Sequence, residues 1–198
     1  MNKQTISLKL IVLFTLLTTV LSTNSCYAQA DSIKNAISPV GKKNKAPKID
    51  IHTAVINGDL NALRQHIAAG TNLDEPDPVG GSSPLITAAL FDKKEMAKAL
   101  LEAGAKINFR NNDGSTALHT AAFFCRTEIV KLLLEKGADK TIRNKWGNTP
   151  FESVKAPFVE AKDIYDIMSQ LLEPWGINLD YAWIEKTRPE IAAMLKLP

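Results

Sequence analysis

Thr116-Ala-Leu-His-Thr-Ala-Ala-Phe-Phe-Cys-Arg-Thr-Glu-Ile-Val-Lys-Leu-Leu-Leu-Glu-Lys-Gly-Ala-Asp139 is the stretch on which the fold turns. It holds two short helical patterns back to back. Thr116 is suited to cap the first, because its hydroxyl can accept from an early backbone N–H. Ala121 and Ala122 are small enough to let a neighbouring helix approach closely. In Glu128–Lys136, Ile129, Leu132 and Leu133 fall on one face at i, i+3 and i+4. Gly137 then stands where a helix ends on a left-handed residue.

The stretch has copies on both sides. Ser83-Pro-Leu-Ile-Thr-Ala-Ala89 precedes Thr116–Ala122 by 33 residues, and Thr149-Pro-Phe-Glu-Ser-Val-Lys155 follows by 33. A truncated copy, Asp50-Ile-His-Thr-Ala-Val55, opens the series. Gly70, Gly104 and Gly137 step by 34 and 33, and Gly81, Gly114 and Gly147 step by 33. Landmarks that share one period mark stacked supersecondary units. Pro84 and Pro150 sit at first helical positions, where a missing N–H costs nothing. Asp113-Gly114 is a turn dipeptide between units.

These residues resemble the ankyrin repeat family, whose T-P-L-H-x-A-A and E-I-V-K-L-L-L-E-x-G-A-D patterns run almost unbroken through Thr116–Asp139. The resemblance spans about Ile49 to Gly176. It implies an all-α solenoid of antiparallel helix pairs joined by protruding β-turn fingers. Four units are expected over residues 49–176, the first and last atypical. The first lacks the Thr-Pro start and has a longer finger, Asp74-Glu-Pro-Asp-Pro-Val-Gly-Gly81. The fourth reads Lys155-Ala-Pro-Phe-Val-Glu-Ala161 after its opening, with about six inserted residues. Residues 177–198 read as capping helices: Leu179–Lys186, then Thr187-Arg-Pro-Glu190 as a capping box with Ile191, Met194 and Leu195 on one face.

The region before the repeats reads as an address and a tether. Lys3 and Lys9 precede the apolar run Leu10–Leu21, and Ala28-Gln-Ala30 follows it. That is the pattern of a secretory signal over residues 1–30, cleaved after Ala30. The run is short of the roughly 20 residues a membrane span needs. A lipoprotein signal cut before Cys26 is the rival, and membrane attachment is expected only if Cys26 is lipidated; Thr23-Asn-Ser25 lacks the Leu such signals use. Residues 31–48 carry Lys34, Lys42, Lys43, Lys45 and Lys48 against Asp31, with Pro39, Gly41 and Pro47 as breakers. The location expected is periplasmic or exported, with secretion as an alternative.

Of 198 residues, 24 are basic and 21 acidic, a net charge of +3. From Asp50 onward the balance is 17 basic to 20 acidic, which gives no electrostatic case for nucleic acid. Two cysteines exclude a disulfide framework. No phosphate-binding loop, dinucleotide fingerprint, zinc-protease motif or nucleophile elbow occurs. Phe109–Gly114 lacks the acidic first ligand of a calcium loop. His52 and His119 share a motif slot that the resemblance assigns to stitching neighbouring loops. No catalytic residue, metal, cofactor or small-molecule substrate is expected.

The resemblance implies a protein partner held on the concave face, by finger tips and the exposed positions of first helices. Carried over position by position, it selects Leu90, Phe91, Phe123 and Phe124 on the helices. In and beside the fingers it selects Arg110, Asn112, Asp113, Arg143, Lys145 and Trp146. Aromatics beside arginines are the composition of binding hot spots. The expectation is therefore a monomeric, non-enzymatic interaction module, with an envelope inhibitor or immunity protein and a secreted host-directed effector as alternatives.

Overall fold

A computed structural model describes residues 45–196. The leader, Cys26 and the tether up to residue 44 lie outside them. Eight α-helices and one 3-10 turn occur among the described residues, and no strand. The first three helix pairs are α1 (Ile51–Asn57) with α2 (Leu60–Ala68), α3 (Pro84–Leu90) with α4 (Lys94–Glu102), and α5 (Ala117–Phe123) with α6 (Thr127–Glu135). First helices stack on first helices and second on second, as the 33-residue period requires. None of these six helices is long enough to be stable alone, so each depends on the face it buries. Leu63, Leu85, Leu100, Leu118, Ile129 and Leu133 are almost fully excluded from solvent and form one continuous core along the stack.

Caps start the helices where the sequence places them. Asp50 accepts from the Thr53 N–H at 3.0 Å, Asp59 from Ala62 at 2.9 Å, and Ser83 from Ile86 at 3.4 Å. Gly70, Gly104 and Gly137 hold φ of +70°, +92° and +82° after the second helices. A further left-handed corner joins the helices within each pair, at Gly58, Asp92 and Cys125 with φ of +69°, +54° and +54°. Two of these three residues carry a Cβ, which is why no glycine series announces the corner.

His52 and His119 stitch successive units as expected. The His52 ring bonds to Thr87 Oγ1 at 2.9 Å and to the Glu75 carbonyl at 2.8 Å. His119 Nδ1 accepts from the Thr116 backbone N–H at 3.2 Å, so the proton sits on Nε2, which donates to the Asn148 carbonyl at 3.0 Å. The ring thus closes the reciprocal half of a capping box and ties α5 to the next finger.

The fourth unit does not form a helix pair. Thr149 and Glu152 do make a capping box, with the Thr149 N–H on Glu152 Oε2 at 2.8 Å and the Glu152 N–H on Thr149 Oγ1 at 3.2 Å. Only one turn follows, closed by Lys155 N–H on the Phe151 carbonyl. Pro157 then bars continuation. The chain leaves as α7 (Phe158–Leu172), ends in the 3-10 turn Glu173–Trp175, and returns as α8 (Tyr181–Leu195). The last helix is single and unbroken. Asp180 caps it through the Trp183 N–H, and Thr187, read as a cap, is buried in its middle. Ile191 and Leu195 complete the main core against α5 and α6, so the cap expected of them is formed.

Arg188 joins α8 to α7. Its side chain is 2% exposed and has no carboxylate partner among the described residues. Nε and Nη2 donate to the Ala156 carbonyl at 3.3 and 3.0 Å, and Nη1 donates to the Tyr165 hydroxyl at 2.6 Å. The Tyr165 hydroxyl donates onward to the Phe123 carbonyl at 2.5 Å. One guanidinium therefore fixes the stub before Pro157, the inserted helix and, through Tyr165, the end of α5.

Two predictions follow from this geometry. Arg188→Met leaves the Ala156 carbonyl short of a donor, and the urea midpoint is expected to fall by the equivalent of about 2 kcal/mol; Arg188→Lys does not restore it, lacking the fork. Burial holds His119 below its ordinary 6.5, so the unfolded chain takes up the proton first. The stability this ring contributes is complete above 6.5 and declines as pH falls from there toward the lower folded value. Between pH 7 and 5 the wild type is expected to lose more stability than His119→Gln, read by urea unfolding at each pH.

Candidate protein-binding face

The fingers are built by one device used three times. Asp77 Oδ1 accepts from Val79 and Gly80 at 2.9 and 2.8 Å, and Oδ2 from Ser82 at 2.5 Å. Asn111 accepts from Asp113 and Ser115 at 3.0 and 2.8 Å, and Asn144 accepts from Trp146 and Asn148, each at 3.1 Å. A short polar side chain that bonds the backbone ahead of it sets each tip. Sequence reasoning missed these three residues, although they step by 34 and 33 like the other landmarks.

Adjacent fingers are coupled through their backbones. The Asn112 N–H donates to the Gly80 carbonyl at 2.9 Å, and the Lys145 N–H to the Asp113 carbonyl at 2.8 Å. The approach is close. A Cβ on Gly81, which holds φ +65°, would lie 2.4 Å from Asn112 Oδ1. The two arginines brace the same row. Arg110 donates to the Gly114 and Arg143 carbonyls at 3.2 and 2.9 Å, and Arg143 donates to the Gly147 carbonyl and Glu152, each at 2.5 Å. The Thr149 backbone and Arg143 together hold the Glu152 carboxyl below its usual range. Arg110 and Arg143 thus have their guanidinium groups committed to the fingers.

The remaining finger residues are differently placed. Asn112 and Lys145 are exposed, and Trp146 is 41% exposed. Asp113 is half-buried, and burial pushes its carboxyl up against the opposing pull of Lys145. Asn112, Asp113, Lys145 and Trp146 therefore form one continuous row at the tips.

The helix residues selected from sequence lie elsewhere. Phe124 is 8% exposed and belongs to the interior, meeting Phe123 edge to face at 5.0 Å. Phe123 is stacked on Tyr165 at 4.6 Å and is covered by α7. Phe91 meets Trp175 edge-on at 6.4 Å. Leu90 is half-buried, and its carbonyl accepts from Arg126 at 3.3 Å. The reason is one sequence could not show: α7 lies over Phe123 through Tyr165, and the 3-10 turn after it sets Trp175 beside Phe91.

Cys125 is buried against Tyr165 and Ile184, and burial pushes its thiol up to about 11, so it is no thiolate near neutral pH. Among the described residues no group of three His, Cys, Asp or Glu side chains is placed to hold a metal ion. No described helix is long and apolar enough to cross a membrane.

Comparison with known proteins agrees with the stack. A model of ankyrin repeats, in three copies, matches residues 51–144, the span of the three complete helix pairs and the third finger as far as Asn144. The chain is 37% identical over 59 residues to inversin of Gallus gallus and 38% identical over 58 residues to inversin of Homo sapiens. Those matches cover 30% and 29% of this chain and 5% of each inversin. Among solved structures, the ankyrin repeat domain of Bcl-3 matches with a TM-score of 0.51 at 31% identity, over 52% of this chain and 45% of that one. With three units, their period and their fingers in place, residues 51–144 of this chain are ankyrin repeats.

Proposed function

We propose that this chain is a non-enzymatic module that binds another protein through its finger tips, outside the bacterial cytosol. The observation that carries this reading is the braced row of fingers with Lys145 and Trp146 exposed at its end. A side chain held on a rigid backbone loses little further freedom on binding. Trp is among the residues that dominate interface energies. Asn112 and Asp113 extend the row with a polar donor and acceptor. Of the expected helix residues, Phe123 lies under α7 and Phe124 in the interior, while the half-buried Leu90 and Phe91 sit beside Arg126 and Trp175. Export rests on the leader pattern of residues 1–30 alone.

The test is paired affinity capture from an envelope extract, with tagged Asp31–Pro198 as one bait and its Lys145→Ala/Trp146→Ala variant as the other. Both substituted side chains are exposed, so circular dichroism of the two baits is expected to coincide. A protein held by the first bait and reduced at least about tenfold on the second supports the reading, since two hot-spot truncations are together worth more than 1.4 kcal/mol. Equal capture by both places the contact elsewhere. N-terminal sequencing of the protein from fractionated cells is expected to begin at Asp31; retention of Met1 in the cytosol removes the export reading.

A further inference from the structure

The inserted helix α7 has a side that the described residues leave partly open. Phe158, Ala161 and Tyr165 face inward to Phe123, Tyr181 and Ile184. One flank is taken by α8. Lys162 lies 2.7 Å from Asp166 and over the Tyr181 ring at 5.5 Å, and the Tyr181 hydroxyl donates to Asp166 at 2.8 Å. On the opposite flank Ile164, Ile167 and Leu171 follow at i, i+3 and i+7, with Met168 beside them. Ile164 is 41% exposed and the other three are half-buried. Trp175, 54% exposed, stands where the strip ends. From Ile164 to Leu171 the strip runs about 12 Å along the helix.

The carboxylates that α7 itself places along that flank are Glu160 and Asp163, both exposed and neither in an ion pair with a described residue. The helix has one cation, Lys162, and Asp166 neutralises it. An apolar strip with an unpaired acidic border selects against an anionic membrane surface and favours a partner with the complementary pattern.

We propose that this flank of α7 docks a cationic amphipathic helix of another protein, its apolar side on Ile164, Ile167 and Leu171 and its lysines or arginines on Glu160 and Asp163. The site is separate from the finger tips, and neither reading depends on the other. Helix-on-helix docking of this kind uses anchors at i, i+3 or i+4, and i+7, which is the spacing α7 offers. Charge sets orientation and the rate of encounter, while the apolar strip supplies the contact area.

The experiment uses the chain as it accumulates in its host and two labelled helical peptides of about 15 residues, matched to the length of α7. One is built of leucine and lysine, the other of leucine and glutamate. Fluorescence anisotropy is read at about 0.15 M salt, so that weakly placed charges are screened. The leucine–lysine peptide is expected to bind saturably. Glu160→Lys with Asp163→Lys is expected to weaken it at least tenfold and to create binding of the leucine–glutamate peptide. Ile164→Ser is expected to weaken both combinations. Glu102→Lys with Glu135→Lys, the same change of charge on α4 and α6, leaves the affinity within about twofold, as does Lys145→Ala/Trp146→Ala. Equal loss in the α4/α6 variant, no gain with the swapped peptide, or preferential binding to phosphatidylcholine–phosphatidylglycerol vesicles overturns the proposal.

Discussion

The apolar side of α5 and α6 has no further repeat to cover it, and the form of the C-terminal third answers that constraint. In a stack of nearest-neighbour units, each pair is stable only against the next, so an end must be closed by something that is not a repeat. Here α8 closes it with Ile191 and Leu195, buried in the same core as Leu118 and Leu133. A second consequence follows from chain direction. The stub at Thr149–Ala156 lies on the last unit, and the chain must travel before it can return as α8. That excursion is α7, and Arg188 secures its start and its middle by bonding the Ala156 carbonyl and the Tyr165 hydroxyl.

An arginine at this place is informative about how the end is built. A buried guanidinium without a carboxylate loses hydration and gains only neutral acceptors, which a well-packed apolar side chain would not need. What it offers instead is a fork that reaches two separate chain segments at once. Tyr165 is the other half of the device. Its ring stacks on Phe123 while its hydroxyl relays from Arg188 to the Phe123 carbonyl, and burial pushes its ionisation well above the ordinary tyrosine range. The inserted helix is thus placed by directional bonds at one end and by the edge contact of Trp175 on Phe91 at the other.

The array was legible in the sequence because each of its corners needs a residue type that the period then repeats. Glycine is the least strained choice at φ above zero, so two series of glycines disclosed two corners. The third corner was silent because Asp92 and Cys125 adopt φ +54° there, at a cost of about 1 kcal/mol each for the Cβ. The fourth unit misled for a related reason. Thr149 and Glu152 carry a true helix start, and only Pro157, two residues past the turn closed at Lys155, stops it. Local signals announce where a helix begins; they do not say whether enough residues follow. Thr187-Arg-Pro-Glu190 had the same spelling with helix already formed on its N-terminal side, so the pattern had no terminus to cap.

Site residues were less legible than the fold because exposure at the ends of α3 and α5 depends on a segment more than 30 residues away. Leu90, Phe91, Phe123 and Phe124 have the composition of a binding patch, and by sequence alone a patch awaiting a partner and a patch already covered look the same. The covering helix was in view as Phe158–Leu172, with aromatic and aliphatic residues every third or fourth position, but periodicity does not say which neighbour a face meets. The fingers escape this ambiguity. Their tips project from the stack, and their backbones are spent on one another, so the side chains of Asn112, Lys145 and Trp146 are left outward whatever the C-terminal segment does. Covering the inner-helix aromatics therefore does not abolish an interaction surface on this chain; it moves the available surface to the tips on one side of α7 and to the acidic, apolar flank of α7 itself.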